Sequence, residues 1–146
     1  MNSERLEVRR LIRVPVERIF AAWTQPDQLR RWWGPPGVRC VDASVGLSIG
    51  GAYRIINELP DGSRMTIFGE FTFISPPRLL VYTWSTDPHN PAREQVTVRF
   101  EPQGVDTEIV IVHELITDPS IREQHRYGWE GCLDGLQQYL TDDGDH

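Results

Sequence analysis

The 146-residue sequence predicts an α+β protein in which one curved antiparallel sheet carries a long C-terminal helix across its concave face. Three observations carry the expectation. Between about residues 38 and 115 apolar residues recur with the period of half-buried strands. After Asp118-Pro119 the period becomes helical and stays so almost to the end. A sheet of this kind must bury one face, and only that last helix is long enough to cover it.

The first strand is expected over 5–14, with Leu6, Val8, Ile12 and Val14 turned inward. Pro15 suits the first position of a helix, and Val16, Ile19, Phe20 and Trp23 follow at helical spacing through residue 23. Thr24-Gln25-Pro26-Asp27 restarts the chain as a second short helix, with Thr24 as cap, carrying Leu29, Trp32 and Trp33. Gly34-Pro35-Pro36-Gly37 stops it, because prolines remove donors and block continuation. Strands are then expected at 38–43, 52–56, 64–74, 79–85, 94–100 and 107–115. Pro60-Asp61-Gly62, Pro76-Pro77, Asp87-Pro88-His89-Asn90-Pro91 and 102–106 supply turns and loops. In the 64–74 strand, Met65, Ile67, Phe71 and Phe73 share the inner side; Gly69 there permits a bend or leaves space. In the last strand Ile109, Ile111, His113 and Leu115 share a face. The final helix, with Asp118-Pro119 or a Ser120-x-x-Glu123 box at its start, stacks Ile121, His125, Gly128, Trp129, Cys132, Leu136 and Leu140 on one stripe. The tail 142–146 is polar and expected to fray.

Composition narrows the function. Fifteen Lys and Arg against 21 Asp and Glu give a net charge of -6, which disfavours nucleic acid, whose phosphates need a basic surface. No run reaches the ~18 apolar residues of a membrane span, and Met1-Asn2-Ser3-Glu4-Arg5 lacks the layout of a secretory signal. Cys40 and Cys132 form no metal or redox motif and are expected as small buried hydrophobes. The expectation is a soluble, cytoplasmic, single-domain protein spanning 1–146, with no cofactor, no metal, no nucleic acid and no membrane.

The ordered set Trp32-Trp33-Gly34-Pro35, Gly50-Gly51-Ala52-Tyr53, Pro60-Asp61-Gly62, Gly69-Glu70-Phe71, Pro76-Pro77-Arg78-Leu79, Thr83-Trp84, His113 and Gly128-Trp129 resembles one family in order and spacing. It is the START/Bet v 1-like (SRPBCC) superfamily, in the subgroup named for the activator of Hsp90 ATPase homologue, and the likeness covers about residues 4–141. The resemblance implies a helix-grip fold: a seven-stranded antiparallel sheet around a long C-terminal helix, with two short helices closing one end. It also implies an elongated cavity for apolar or aromatic small molecules. The superfamily further includes polyketide cyclases and aromatases, lipid carriers and chaperone-associated domains, the last in keeping with a stress-response role; fold alone does not choose among them. Nothing in the motifs marks the chain as the Hsp90 activator itself, which carries a further chaperone-binding domain.

The unusual compositional feature is aromatic: five Trp, five Phe and four Tyr. Candidate cavity residues from the helices and first inner strands are Trp32, Trp33, Tyr53, Ile55, Met65, Ile67, Phe71 and Phe73. Later strands and the final helix add Tyr82, Trp84, Val98, Phe100, Ile111, His113, His125, Tyr127 and Trp129. Such rings either fill a core completely or leave a hollow with a few polar groups, the usual form of a small-molecule site. His113 is the sharpest polar candidate, either as a buried His with structural partners or as a ligand contact and proton carrier. His125 lies on the stripe that could approach it, and no carboxylate at ligand spacing completes a metal site. Glu58, Glu70, Glu108 and Glu114 read as solvated surface.

Three functions compete at this level. The first is binding of a small apolar or aromatic molecule, with Tyr82, His113 and Tyr127 orienting it. The second is a polyketide cyclase-like enzyme using the same pocket and His113. The third is an interaction domain that meets a chaperone. A homodimer through a sheet edge or through Trp32-Trp33 is compatible with each.

Overall fold

The computed structural model describes residues 5–90 and 93–143. The expectations placed on residues 1–4, on Pro91 and on 144–146 lie outside them. The elements run β1 (Leu6–Ile12), α1 (Val16–Thr24), α2 (Pro26–Trp32), β2 (Arg39–Val45), β3 (Ala52–Glu58), β4 (Arg64–Ser75), β5 (Leu79–Trp84), β6 (Glu94–Gln103), β7 (Asp106–Glu114) and α3 (Pro119–Asp143). Among the described residues the strands form one seven-stranded sheet in the order β1-β7-β6-β5-β4-β3-β2, every neighbouring pair antiparallel. This is the helix-grip arrangement: α3 lies against the sheet, and α1 and α2 follow β1.

The inner face is built by the alternation of each strand. Val96, Val98 and Phe100 of β6 face Ile109, Ile111 and His113 of β7, and all six are fully buried. Trp129, Cys132, Leu133, Leu136 and Leu140 of α3 close over that surface. Glycine sets how near α3 can come. A Cβ on Gly135 would stand 2.6 Å from the Trp32 carbonyl oxygen, and one on Gly131 would stand 2.6 Å from Pro35 Cβ. The backbone of α3 therefore rests directly on the end of α2. The Gly34 N–H reaches back to Cys132 Sγ at 3.4 Å.

Several local expectations are corrected. Phe73 is 47% exposed. The register between β4 and β5 shifts between Phe71 and Phe73, so one extra residue turns Phe73 outward while Phe71 stays inside. Gly69 leaves no space: the Thr83 carbonyl oxygen occupies the place a Cβ would take. Leu115 is 62% exposed and has φ +64°, so the inward alternation of β7 ends at His113. Pro15 precedes α1 as its cap, and the Thr24 hydroxyl donates back to Phe20 O at 2.8 Å within α1 instead of capping α2. The start of α3 is held by Asp118, whose Oδ1 accepts from the Ser120 N–H and hydroxyl at 2.9 Å each. Helix α3 runs through Asp142 and Asp143, which were expected to fray. Trp32 and Trp33 are buried within the chain, which removes them as a dimer surface.

Candidate functional site

Strand β6 opens opposite the end of β5, with Glu94 paired to Trp84, and two residues later Val96 pairs with His113 of β7. Glu94 has the same parity as Val96, Val98 and Phe100, so its carboxylate turns inward. There it meets two imidazoles. Glu94 Oε1 stands 2.7 Å from His113 Nε2 and 2.9 Å from His125 Nε2. The two rings stack at 4.2 Å between centroids and 18° between planes. Trp84 lies edge-on to both, at 5.1 and 5.7 Å. From α3 the Trp129 indole N–H donates to His113 Nδ1 at 3.0 Å.

These bonds fix the chemistry of the cluster. An indole N–H only donates, so His113 Nδ1 is the acceptor and the ring proton resides on Nε2, directed at Glu94. Burial holds the His113 imidazole below its ordinary value, against the raising influence of Glu94. Burial pushes the Glu94 carboxyl up, but the bonds from His113 and His125 and the charge of those rings outweigh it and hold the carboxyl down at about 2. The carboxylate is therefore an anion pinned by two N–H donors.

Glu94, His113 and His125 are also the described residues whose donor atoms fall together as a cation site would need, within 4.8 Å. The donor set does not fit. A metal on His113 Nε2 would require the ring proton on Nδ1, where Trp129 already directs an N–H. The cluster is a hydrogen-bonded one.

Beside it the protein is hollow. A cavity of about 290 Å³ lies between Asn57, Met65 and Ile67 on the sheet side and Ile121, Gln124, His125, Gly128, Trp129 and Cys132 of α3. Trp33, Pro35 and Val38 close one side, Trp84 and Thr86 another, and the exposed Tyr127 borders it. A second cavity of about 150 Å³ shares Trp84, Thr86, Ile121 and His125 with the first and adds Asp87, Arg93 and Glu94. Asn57 is 2% exposed, and its Oδ1 has no hydrogen-bond partner among the described residues. A buried amide oxygen left unpaired costs on the order of 1–3 kcal/mol, and Asn57 is one of the residues lining the larger cavity.

The sequence-predicted residues divide around that hollow. Trp33, Met65, Ile67, Trp84, His125, Tyr127 and Trp129 line it. Tyr53, Ile55, Phe71 and Tyr82 instead interlock with Trp23, Trp33 and Trp84 around a space of only about 20 Å³, room for about one water. There the rings do mesh: Tyr53 meets Tyr82 at 5.1 Å and Phe71 at 5.7 Å. Trp32 spends its indole N–H on Ala22 O at 2.9 Å. Trp32, Val98, Phe100 and Ile111 line neither the 290 nor the 150 Å³ cavity. His113 is 0% exposed and also lines neither; with both ring nitrogens bonded to Trp129 and Glu94, it has the surroundings of the structural alternative. Tyr127, expected inward, is 65% exposed and stands at the cavity's edge. Glu94 and Asn57 were missed. Counting Glu94 back by twos from Val96 would have found it; Asn57 shares the parity of Tyr53 and Ile55 on β3.

A sheet gripping a C-terminal helix, with two short helices after the first strand, defines the START/Bet v 1-like class. The chain belongs to the family described as Activator of Hsp90 ATPase homolog 1-like protein, whose model matches residues 13–141. Solved structures share the fold. A protein from Nitrosomonas europaea is 21% identical, with a TM-score of 0.85 over 99% of this chain and 98% of that one. The AHSA1 protein from Silicibacter pomeroyi is 24% identical, with a TM-score of 0.84 over 95% and 99%. The AHSA1-like protein from Aeromonas hydrophila is 24% identical, with a TM-score of 0.78 over 96% and 94%. At such identities the likeness speaks for the fold. No curated protein matches the sequence.

Proposed function

We propose that this protein binds a small, mainly apolar or aromatic molecule in the cavity between β3, β4 and α3, anchored by a donor group to Asn57. The observation that carries the reading is the pairing of an apolar hollow with one buried, unpartnered acceptor in its wall. Its volume of about 290 Å³ is near the lower end of the ~300–1,000 Å³ usual for small-molecule sites. It suits one or two fused rings better than a lipid chain. Met65, Ile67, Trp33 and Trp129 supply apolar and aromatic wall. Asn57 supplies orientation, since a ligand N–H or O–H directed at Oδ1 relieves the cost of an unpaired buried acceptor.

Indole and N-methylindole test the reading, because they share a ring system and differ in the donor. Binding is followed by NMR shift changes at Met65 and at the Trp33 and Trp129 indoles. Indole is expected to bind about tenfold tighter, equivalent to ~1.4 kcal/mol, and Asn57→Leu is expected to erase the preference. Absence of any perturbation at those residues by either compound at millimolar concentration would sink the proposal.

A further inference from the structure

Trp129, His113, Glu94 and His125 form a chain of hydrogen bonds whose protons can be placed one at a time. Trp129 donates to His113 Nδ1, so the His113 proton lies on Nε2 and is given to Glu94 Oε1. The same carboxylate oxygen is 2.9 Å from His125 Nε2. A carboxylate accepts and does not donate, so His125 also turns an N–H toward it. In neutral His125 the remaining lone pair is then on Nδ1, which makes no hydrogen bond among the described residues. The His125 ring is a wall of both cavities.

We propose that His125 Nδ1 is the proton acceptor of this site, and that the cavity takes weakly acidic aromatic O–H compounds, phenols or enols, which it binds as oxyanions. The proposal rests on the cavity-binding reading above and names its ligand class: the acidic O–H meets His125, and any donor given to Asn57 is a separate N–H or O–H of the same ligand. In the transfer the ligand O–H bond breaks, its electron pair stays on oxygen, and an N–H bond forms at Nδ1; nothing is oxidised or reduced. The imidazolium that results sits between two anions, the Glu94 carboxylate at Nε2 and the ligand oxygen at Nδ1. His113, stacked on the same ring from β7, cannot compete for the proton, because both its nitrogens are engaged. The other charged groups facing His125 are Asp87 and Arg93, across the smaller cavity. Glu94 and His113 thus act as positioning residues: they fix which nitrogen of His125 is bare.

4-Nitrophenol and 4-nitroanisole test the proposal, since only the first can ionise and its phenolate absorbs visible light. At a pH where free 4-nitrophenol is mostly protonated, binding to the wild-type chain is expected to bring up the phenolate band. The phenol is expected to bind about tenfold tighter than the anisole. His125→Gln keeps an N–H for Glu94 and lacks the ring acceptor; it is expected to abolish both the band and the preference. Equal binding of the two probes with the phenol colourless overturns the proton transfer and leaves the cavity reading standing. Binding of neither overturns both. Imidazole nitrogen-15 NMR of the 4-nitrophenol complex gives a second readout: the transferred proton is expected at His125 Nδ1 with His113 keeping its single proton on Nε2, and its appearance on His113 instead overturns the assignment.

Discussion

The Trp129 indole N–H stands 3.0 Å from His113 Nδ1, and this bond, together with the acceptor that Glu94 presents to Nε2, fixes the tautomer of a fully buried imidazole. An indole has no lone pair to offer and a carboxylate has no proton to give, so both neighbours place the His113 proton on Nε2.

Trp129→Phe tests that dependence. The phenyl ring keeps much of the packing against Trp84 and Trp33, whose centroids lie 5.4 and 5.5 Å from the Trp129 ring. It leaves His113 Nδ1 buried without a donor. A loss of about 1–3 kcal/mol is expected, the range for an orphaned buried polar atom, read from urea denaturation. Glu94 still accepts at Nε2, so the His113 ring is expected to keep its Nε2–H signature in nitrogen-15 spectra while Nδ1 loses its donor.

The pH dependence of stability follows from the same cluster. His113 is held below its ordinary 6.5 by burial. The unfolded chain therefore takes up this proton before the native one does, and the contribution is lost as pH falls through about 6.5. Glu94 is depressed from 4.5 to about 2; its contribution is full above about 4.5 and is lost as pH falls towards 2. Both limbs have the same sign, so stability is highest above neutrality and declines towards acid, by at most ~1.4 kcal/mol per pH unit for each proton. His113→Gln can mimic the locked tautomer, with an oxygen for Trp129 and an N–H for Glu94. Relative to the wild type it is expected to flatten the limb that begins near 6.5 while keeping the one below about 4.5. Denaturation midpoints measured across that range would show it, and an unchanged upper limb would refute it.

Most of the fold was legible because alternation and helical spacing are local. Val96-x-Val98-x-Phe100 reads as a strand wherever it occurs, and the stripe from Ile121 to Leu140 reads as a helix. What escaped depends on events between elements. The register shift that turns Phe73 outward is a relationship of β4 to β5, and nothing within residues 64–74 announces it. The sequence places His125 where it could approach His113, but Glu94, a carboxylate at a strand start, reads as surface until two imidazoles are known to face it. The sequence places the cavity between the sheet and the C-terminal helix without saying where along them. It lies to one side, because Tyr53, Phe71 and Tyr82 fill the centre.

Asn57→Leu separates function from stability. The side chains are similar in size, and the substitution removes the unpartnered Oδ1 from a wall shared with Met65 and Ile67. The variant is expected to be more stable than the wild type by ~1 kcal/mol, the lower end of the penalty for an unsatisfied buried acceptor. It should also lose its discrimination between indole and N-methylindole. A thermal melt and the NMR titration read the two effects independently. Stability gained with discrimination lost is the pattern of a residue retained for binding.

Gly135 tests how the wall of the cavity is positioned. A methyl group at this position would have to lie 2.6 Å from the Trp32 carbonyl oxygen, which is backbone at the end of α2 and cannot rotate away. Gly135→Ala therefore has to push α3 off α2, and helix propensity, which favours Ala by about 1 kcal/mol, opposes the loss without cancelling it. A net destabilisation of about 1–2 kcal/mol is expected, within the range for overpacking. The displacement reaches the site through Cys132 and Trp129, on the same helix, so the Trp129–His113 bond should lengthen and the Trp129 indole proton should exchange faster with solvent. Gly128 has no neighbour within 4 Å of the place its Cβ would take, so Gly128→Ala, also on α3, is the control and is expected to stabilise. A Gly135→Ala variant as stable as Gly128→Ala would mean that α3 does not bear on α2 as closely as the backbone contact requires.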